Sequence, residues 1–322
     1  MESFPQPRVV VSKCLGFEHC RYDGSVINDP FVAMLEPHVD FIKVCPEKEI
    51  GLGVPRSPIR LVQENKHKRV FQPATGKDVT DEMARFIDDF LGNLEPVDGF
   101  ILKHRSPSCG LSNVKIYYGF DEKVNHFRGK GMFGEAILSS HGSLPVEDEG
   151  RLRNFSIREH FLIRLYTMAS FREFKQNPSM KGLVDFHTNN KFLFMAFNQE
   201  TMHELGRITA NHEQQPLEKV IGSYEGLMRK MLASMPRFTS WINMLYHAFG
   251  FISDGLEKQE KTFFLNSIEE YRDERIPLST LIKLLKSYAL RFNQDYLLRQ
   301  TFLNPFPLDL VQITDSGKGR RT

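Results

Sequence analysis

Arg8-Val9-Val10-Val11-Ser12-Lys13-Cys14 is the stretch that decides the fold. Its unbroken apolar triplet reads as a buried strand rather than a half-exposed one, which would alternate apolar with polar residues. The same reading recurs twice. Phe41-Ile42-Lys43-Val44 runs directly into Cys45, and Phe100-Ile101-Leu102 is followed by Cys109 after a short loop. In an open parallel sheet the carboxyl ends of the strands face one crevice, where ligands bind. Cys14, Cys45 and Cys109 are therefore expected to meet there although they are far apart in sequence. Three thiols are one short of closing a zinc or four-iron site, and an open coordination position points to chemistry rather than structure.

Outward from these segments the pattern stays layered. Val114 to Tyr118 reads as a further strand. Met83, Phe86, Ile87, Phe90, Leu91 and Leu94 recur at helical spacing over Asp81–Leu94, with Thr80 as the expected N-cap. Gly129 to Ser140 reads as a Gly-rich turn leading into another helix. His141 to Gly150 mixes Gly, Pro and acids, and from Ser156 onward nearly everything reads as helix. Phe161, Leu165, Met168, Phe171 and Phe174 form one apolar stripe, and Leu217, Ile221, Tyr224, Leu227, Met228, Met231 and Leu232 another; both read as core. The expected architecture is a parallel-type α/β sandwich domain over residues 1–150, an all-α domain over 151–312 and a disordered tail over 313–322.

No segment of the 322 residues approaches the roughly 20 apolar residues that cross a bilayer. Met1 to Arg8 lacks the basic and apolar regions of a signal peptide, so a cytoplasmic protein without a membrane partner is expected. All four cysteines fall between residues 14 and 109, which is no disulfide framework. Residues 1–150 carry 18 Lys/Arg against 22 Asp/Glu, whereas the remainder carries 24 against 18. The basic second half hints at a polyanionic partner.

Three segments carry chemistry. Cys14-Leu15-Gly16-Phe17-Glu18-His19-Cys20 places two cysteines on a turn after a strand, where they can share a metal site; the plainer reading is that one is a ligand and the other packs beside it. In Cys45-Pro46-Glu47, Pro46 cannot extend the strand and turns the chain, which sets Glu47 at the crevice mouth. A carboxylate there can act as general base for a bound water, or it is a solvated loop residue. Gly51-Leu52-Gly53 serves a phosphate or, more simply, a tight turn. Lys103-His104-Arg105-Ser106-Pro107-Ser108-Cys109 joins three basic side chains and two hydroxyls to a thiol, which suits an anion or a polar heterocycle. A nucleophilic cysteine with His19 or His104 as its base is the competing use of these parts, and zinc another.

Together these segments resemble a known family. Cys14-Leu15-Gly16 through Cys20-Arg21-Tyr22-Asp23-Gly24, Cys45-Pro46-Glu47 followed by Gly51-Leu52-Gly53-Val54-Pro55-Arg56, and Leu102-Lys103 through Ser106-Pro107-Ser108-Cys109-Gly110 are similar to the marks of TudS-type thiouracil desulfidases. The resemblance implies a 4Fe–4S cluster on three cysteines with its fourth iron free to take the sulfur of a thiolated pyrimidine. Water then replaces sulfur without net redox change. It implies Cys14, Cys45 and Cys109 as ligands, with Cys20 as the alternative, Glu47 as the acidic catalytic residue, and Ser106 or Ser108 as the assisting serine. Leu183-Val184-Asp185-Phe186-His187-Thr188-Asn189-Asn190-Lys191-Phe192 and Leu205-Gly206 resemble the helical domain of RudS-type proteins, in which the fused desulfidase acts on 4-thiouridine in transfer RNA.

The resulting expectation is a cluster-dependent tRNA 4-thiouridine desulfidase. Its RNA contacts are expected among Arg158, Arg164, Arg172, Lys175, Lys191, Arg207, Arg229 and Lys230, with Phe186 and Phe192 as core. The alternatives are a desulfidase of free 2-thiouracil-type bases and a non-enzymatic, cluster-bearing RNA-binding or sensor protein.

Overall fold

A computed structural model describes residues 4–65, 67–120 and 125–312. The expected tail over residues 313–322 lies outside the described residues. Two compact units result: residues up to Ala169 together with the segment from Asp309 onward, and Ser170–Leu308.

The first unit is built on two sheets. Strands β1 (Arg8–Ser12), β2 (Asp40–Val44), β6 (Gly99–Leu102) and β9 (Val146–Asp148) form a fully parallel sheet in the order β2-β1-β6-β9. Val9, Val10 and Val11 are buried, as the apolar triplet requires of a strand covered on both faces. Strands β3 (Arg60–Glu64), β4 (His67–Gln72), β5 (Lys77–Asp78), β7 (Val114–Tyr117) and β8 (His126–Gly129) form a second sheet, in which only β3 and β7 pair in parallel. The expected strand at Val114 thus exists but belongs to the second sheet. The fourth strand of the parallel sheet is β9, inside the Gly-, Pro- and acid-rich stretch that reads as a loop. Three residues with two acids, Val146-Glu147-Asp148, give no apolar alternation to detect.

Helices α1 (Pro30–Leu35), α2 (Pro46–Glu49), α3 (Thr80–Gly92), α4 (Met132–His141) and the greater part of α5 (Phe155–Phe174) complete the unit. Thr80 is the first residue of α3 rather than its cap. Its amide and hydroxyl donate to Asp78 Oδ1, at 2.9 and 2.5 Å, so the aspartate two residues upstream captures the turn. The division between units falls within α5, whereas the composition changes near residue 150. The N-terminal part of α5 belongs to the first unit: Tyr166 meets Phe4 edge-on and Arg158 lies over Phe31.

The second unit is helical, comprising α6 (Met180–Phe197), α7 (Gln199–Ala210), α8 (Leu217–Leu232), α9 (Phe238–Gly250), α10 (Lys258–Arg272), α11 (Leu278–Arg291) and α12 (Asp295–Leu298). The apolar pattern over Leu281–Leu298 is broken at Asn293, whose φ of +52° ends α11 and starts α12. Phe186 and Phe192 are buried, as expected of core. Among the described residues no helix is long and apolar enough to cross a membrane.

Candidate functional site

The carboxyl ends of β1, β2 and β6 deliver the expected residues to one place. Cys14 follows β1 by one residue. Cys45 is the N-cap of α2, with Pro46 in the first helical position, where its missing N–H costs nothing. Pro46 therefore begins a short helix as it turns the chain. Gly51 and Gly53 sit at φ +80° and +72°, so the Gly-Leu-Gly stretch is a tight turn.

Cys109 is placed by a different device. The first amides of α4 donate to the loop that carries it: Gly131 N to Gly110 O at 2.7 Å, Met132 N to Pro107 O at 3.1 Å and Gly134 N to Ser108 O at 3.0 Å. These orphan donors of a helix start satisfy the loop's carbonyls. A Cβ at Gly131 would lie 2.5 Å from Ser108 O, and one at Gly134 would lie 2.6 Å from Cys109 O. The Gly-rich run before α4 is what lets helix and loop approach.

All four cysteines are free and buried. The Cys20 thiol lies within hydrogen-bonding reach of those of Cys14 and Cys45, and Cys109 lies close enough to Cys45 for a thiolate there to raise it. The Cys14 sulfur beside it, and then burial, push Cys20 up to about 11. Hydrogen bonding to Cys20 and burial raise Cys45, and burial raises Cys109 to about 12. A cysteine nucleophile needs the opposite shift. Neither histidine is turned to activate one: His19 Nδ1 contacts Gly24 O, and His104 Nδ1 faces Asp148 Oδ2 at 3.1 Å without hydrogen-bond alignment.

Glu47 is buried beside these thiols. Ser108 Oγ donates to its Oε1 at 2.8 Å and lies 3.7 Å from Cys109 Sγ. Ser106 Oγ is 2.9 Å from Ser108 Oγ and accepts from the amides of Ser108 and Cys109. Of the two serines, Ser108 is the one that touches the carboxylate. Arg56 Nε and Nη2 donate to Glu47 Oε2 at 3.0 and 2.7 Å. Arg56 closes the Gly-Leu-Gly-Val-Pro-Arg motif, but nothing in its spacing announces an ion pair with Glu47. Lys103, expected to face a ligand, is instead held by Glu149 through its Nζ; the backbone amide of His104 also donates to Glu149 at 2.7 Å, while the His104 ring faces Asp148. In sequence Asp148 and Glu149 are only two of the acids in the mixed stretch His141 to Gly150, because β9 is too short to recognise.

The eight expected RNA contacts are not equivalent. Arg158 is an interior residue whose guanidinium donates to the carbonyls of Leu152, Arg153 and Gln312, so it is a structural cation rather than an RNA contact. Arg164 is half-buried and donates to Ser143 O; burial lowers it to about 10. Lys175 and Arg229 share Glu225, and Arg172 and Lys191 are half-buried. Arg207 and Lys230 are exposed.

A buried carboxylate, two serines and a thiol cluster at strand ends occupy the span that a family model matches, residues 9–149, described as 2-thiouracil desulfurase. The chain belongs to the 2-thiouracil desulfurase family over this span. Residues 191–307 match a second family, described as a protein of unknown function, DUF1722. The desulfurase domain is thus fused to a helical region, and membership brings carbon–sulfur bond cleavage as its reaction class. A solved [4Fe-4S]-dependent thiouracil desulfidase, TudS, is 30% identical over 46% of this chain and 93% of that one, with a TM-score of 0.34. The uncharacterized protein YbgA of Escherichia coli K12 is 24% identical over 48% of this chain and 93% of its own length. The uncharacterized protein YbbK of Bacillus subtilis 168 is 28% identical over 41% of this chain and 87% of its own.

Among the described residues no three His, Cys, Asp or Glu side chains are gathered so as to hold a metal ion. The donor chemistry nonetheless fits an iron–sulfur cluster, whose thiolates bind different irons: four sulfurs from three strand ends, with Ser12 and Ser108 hydroxyls beside Cys109.

Proposed function

We propose that this protein removes sulfur from 4-thiouridine in transfer RNA by hydrolysis, with a 4Fe–4S cluster held by Cys14, Cys45 and Cys109. The observation that carries the reading is the contact chain Glu47–Ser108–Cys109, which joins a carboxylate to a ligand thiol inside a desulfurase domain. Cys14, Cys45 and Cys109 would hold the cluster, which would supply an open iron as a Lewis acid for a thiocarbonyl sulfur. The chain's own residues handle water and protons. Glu47 Oε1 is the atom that takes the proton of the attacking water, because Oε2 is committed to Arg56. Ser108 holds that oxygen in place, and Ser106, anchored on two amides, hands its own hydroxyl to Ser108. One water enters and hydrogen sulfide leaves, so the ring carbon keeps its oxidation state.

The basic excess after residue 150 and the exposed Arg207 and Lys230 support an RNA substrate, since phosphate contacts dominate such binding. A second reading, desulfidation of the free base, is favoured by the matched family's own description. One comparison decides. Anaerobically reconstituted full-length protein is given 4-thiouridine-containing tRNA, or free 4- or 2-thiouracil, and released sulfide is measured. Turnover on tRNA that falls steeply with salt supports the proposal. Turnover on free bases alone selects the second reading, and RNA binding without sulfide release from any substrate selects a sensor.

A further inference from the structure

We infer that Arg56 is the positioning residue of Glu47, occupying Oε2 with two N–H donors so that Oε1, which among the described residues accepts only from Ser108, is the oxygen left to work. The inference rests on the proposed role of Glu47. The Arg56 side chain is only 4% exposed, and almost every guanidinium N–H is used. Nε and Nη2 converge on Glu47 Oε2. Nη1 turns away and donates to the carbonyls of Cys20 and Gly53, both at 3.0 Å. The Arg56 amide adds a bond to Tyr22 O at 2.8 Å.

Two consequences follow. Glu47 sits on a four-residue helix that by itself leaves the side-chain rotamers free, and the fork removes that freedom. The same guanidinium ties the Cys14–Gly24 loop to the segment carrying Glu47, so carboxylate and thiol loop are held in one frame. Ser108 alone cannot do this, because it reaches only Oε1. Lysine cannot either: a point charge on a flexible stem has no planar fork to span Oε2 on one side and two carbonyls on the other.

The test uses the reconstituted full chain. Arg56→Lys is expected to keep wild-type iron, acid-labile sulfide and visible spectrum. Its kcat should fall on the order of tenfold to a hundredfold with KM nearly unchanged, as for a misplaced reacting group. In Arg56→Ala, added methylguanidinium should restore part of kcat, whereas Glu47→Gln should not respond. A second measurement needs no turnover. In cluster-free protein the unfolding-midpoint shifts of Arg56→Met and Glu47→Gln should be non-additive in the double variant, the mark of a direct pair. Activity lost only in proportion to lost cluster overturns the inference, as do additive midpoint shifts. If wild-type protein releases no sulfide from any thiolated base, the proposed function fails, and the double-variant cycle still decides whether Arg56 holds Glu47.

Discussion

Gly134→Ala is a substitution on which local propensity and tertiary packing disagree in sign. Alanine is the better helix former, by about 1 kcal/mol in a helix interior. At Gly134, however, a Cβ would sit 2.6 Å from Cys109 O and 2.7 Å from Gly110 O. Ordinary contact begins near 3.4 Å, so the loop would have to retreat by roughly 0.8 Å. Both colliding atoms are backbone carbonyl oxygens, one of which, Gly110 O, already accepts from Gly131 N, so neither can swing aside as a flexible side chain would. Overpacking of this kind costs about 1–3 kcal/mol. Gly222, on α8, is the control, because nothing lies within 4 Å of its added Cβ. Gly222→Ala should gain the propensity term, and Gly134→Ala should fall below it by about 1–3 kcal/mol. Urea unfolding followed by hydrogen exchange reports each unit separately, and iron content after reconstitution reports the displacement of Cys109. A Gly134→Ala protein that gains as much stability over wild type as Gly222→Ala does, and keeps wild-type iron, would refute the claim that α4 sets the position of the thiol.

Three further outcomes are expected. Cys14→Ser, Cys45→Ser and Cys109→Ser should each abolish the brown colour of anaerobically reconstituted protein, whereas Cys20→Ser keeps it at least in part; the reverse pattern replaces one of the three with Cys20. Glu47→Gln, with cluster intact by iron count, should lose turnover on the order of a hundredfold, the scale of a removed acid–base group; near-normal sulfide release would end its proposed role. In the second unit, burial first, then Lys191 and His203, lower His187 to about 4, and its Nδ1 contacts Tyr224 Oη at 3.1 Å. Between pH 4 and 6.5 the unfolded chain binds the extra proton, so that unit's stability is complete above about pH 6.5 and falls by about 3 kcal/mol towards pH 4. His187→Gln should flatten urea unfolding midpoints measured across that window, and an unchanged pH slope would show that another group is responsible.

The sequence by itself determined the parallel sheet and the cysteine crevice. Val9-Val10-Val11 and Phe100–Leu102 are continuous apolar runs suited to strands covered on both faces, whereas Phe41–Val44, interrupted by the exposed Lys43, forms the half-exposed edge strand beside them. It also determined the helical second half, because periodic stripes such as Leu217 to Leu232 can bury themselves in only one way. The motif segments determined the family, since they bring Cys14, Glu47 and Cys109 in order. Tertiary structure alone decided what those segments touch. Arg56 reaches Glu47 through a turn set by Gly51 and Gly53, Ser108 rather than Ser106 meets the carboxylate, and Glu149 removes the Lys103 ammonium from the ligand side. Arg158 is likewise indistinguishable from a surface cation until its carbonyl partners fold around it. The physical reason is the same in each case. Burial and periodicity are properties of a short stretch of chain, whereas a hydrogen bond or ion pair between residues tens of positions apart depends on loop directions that no local pattern encodes.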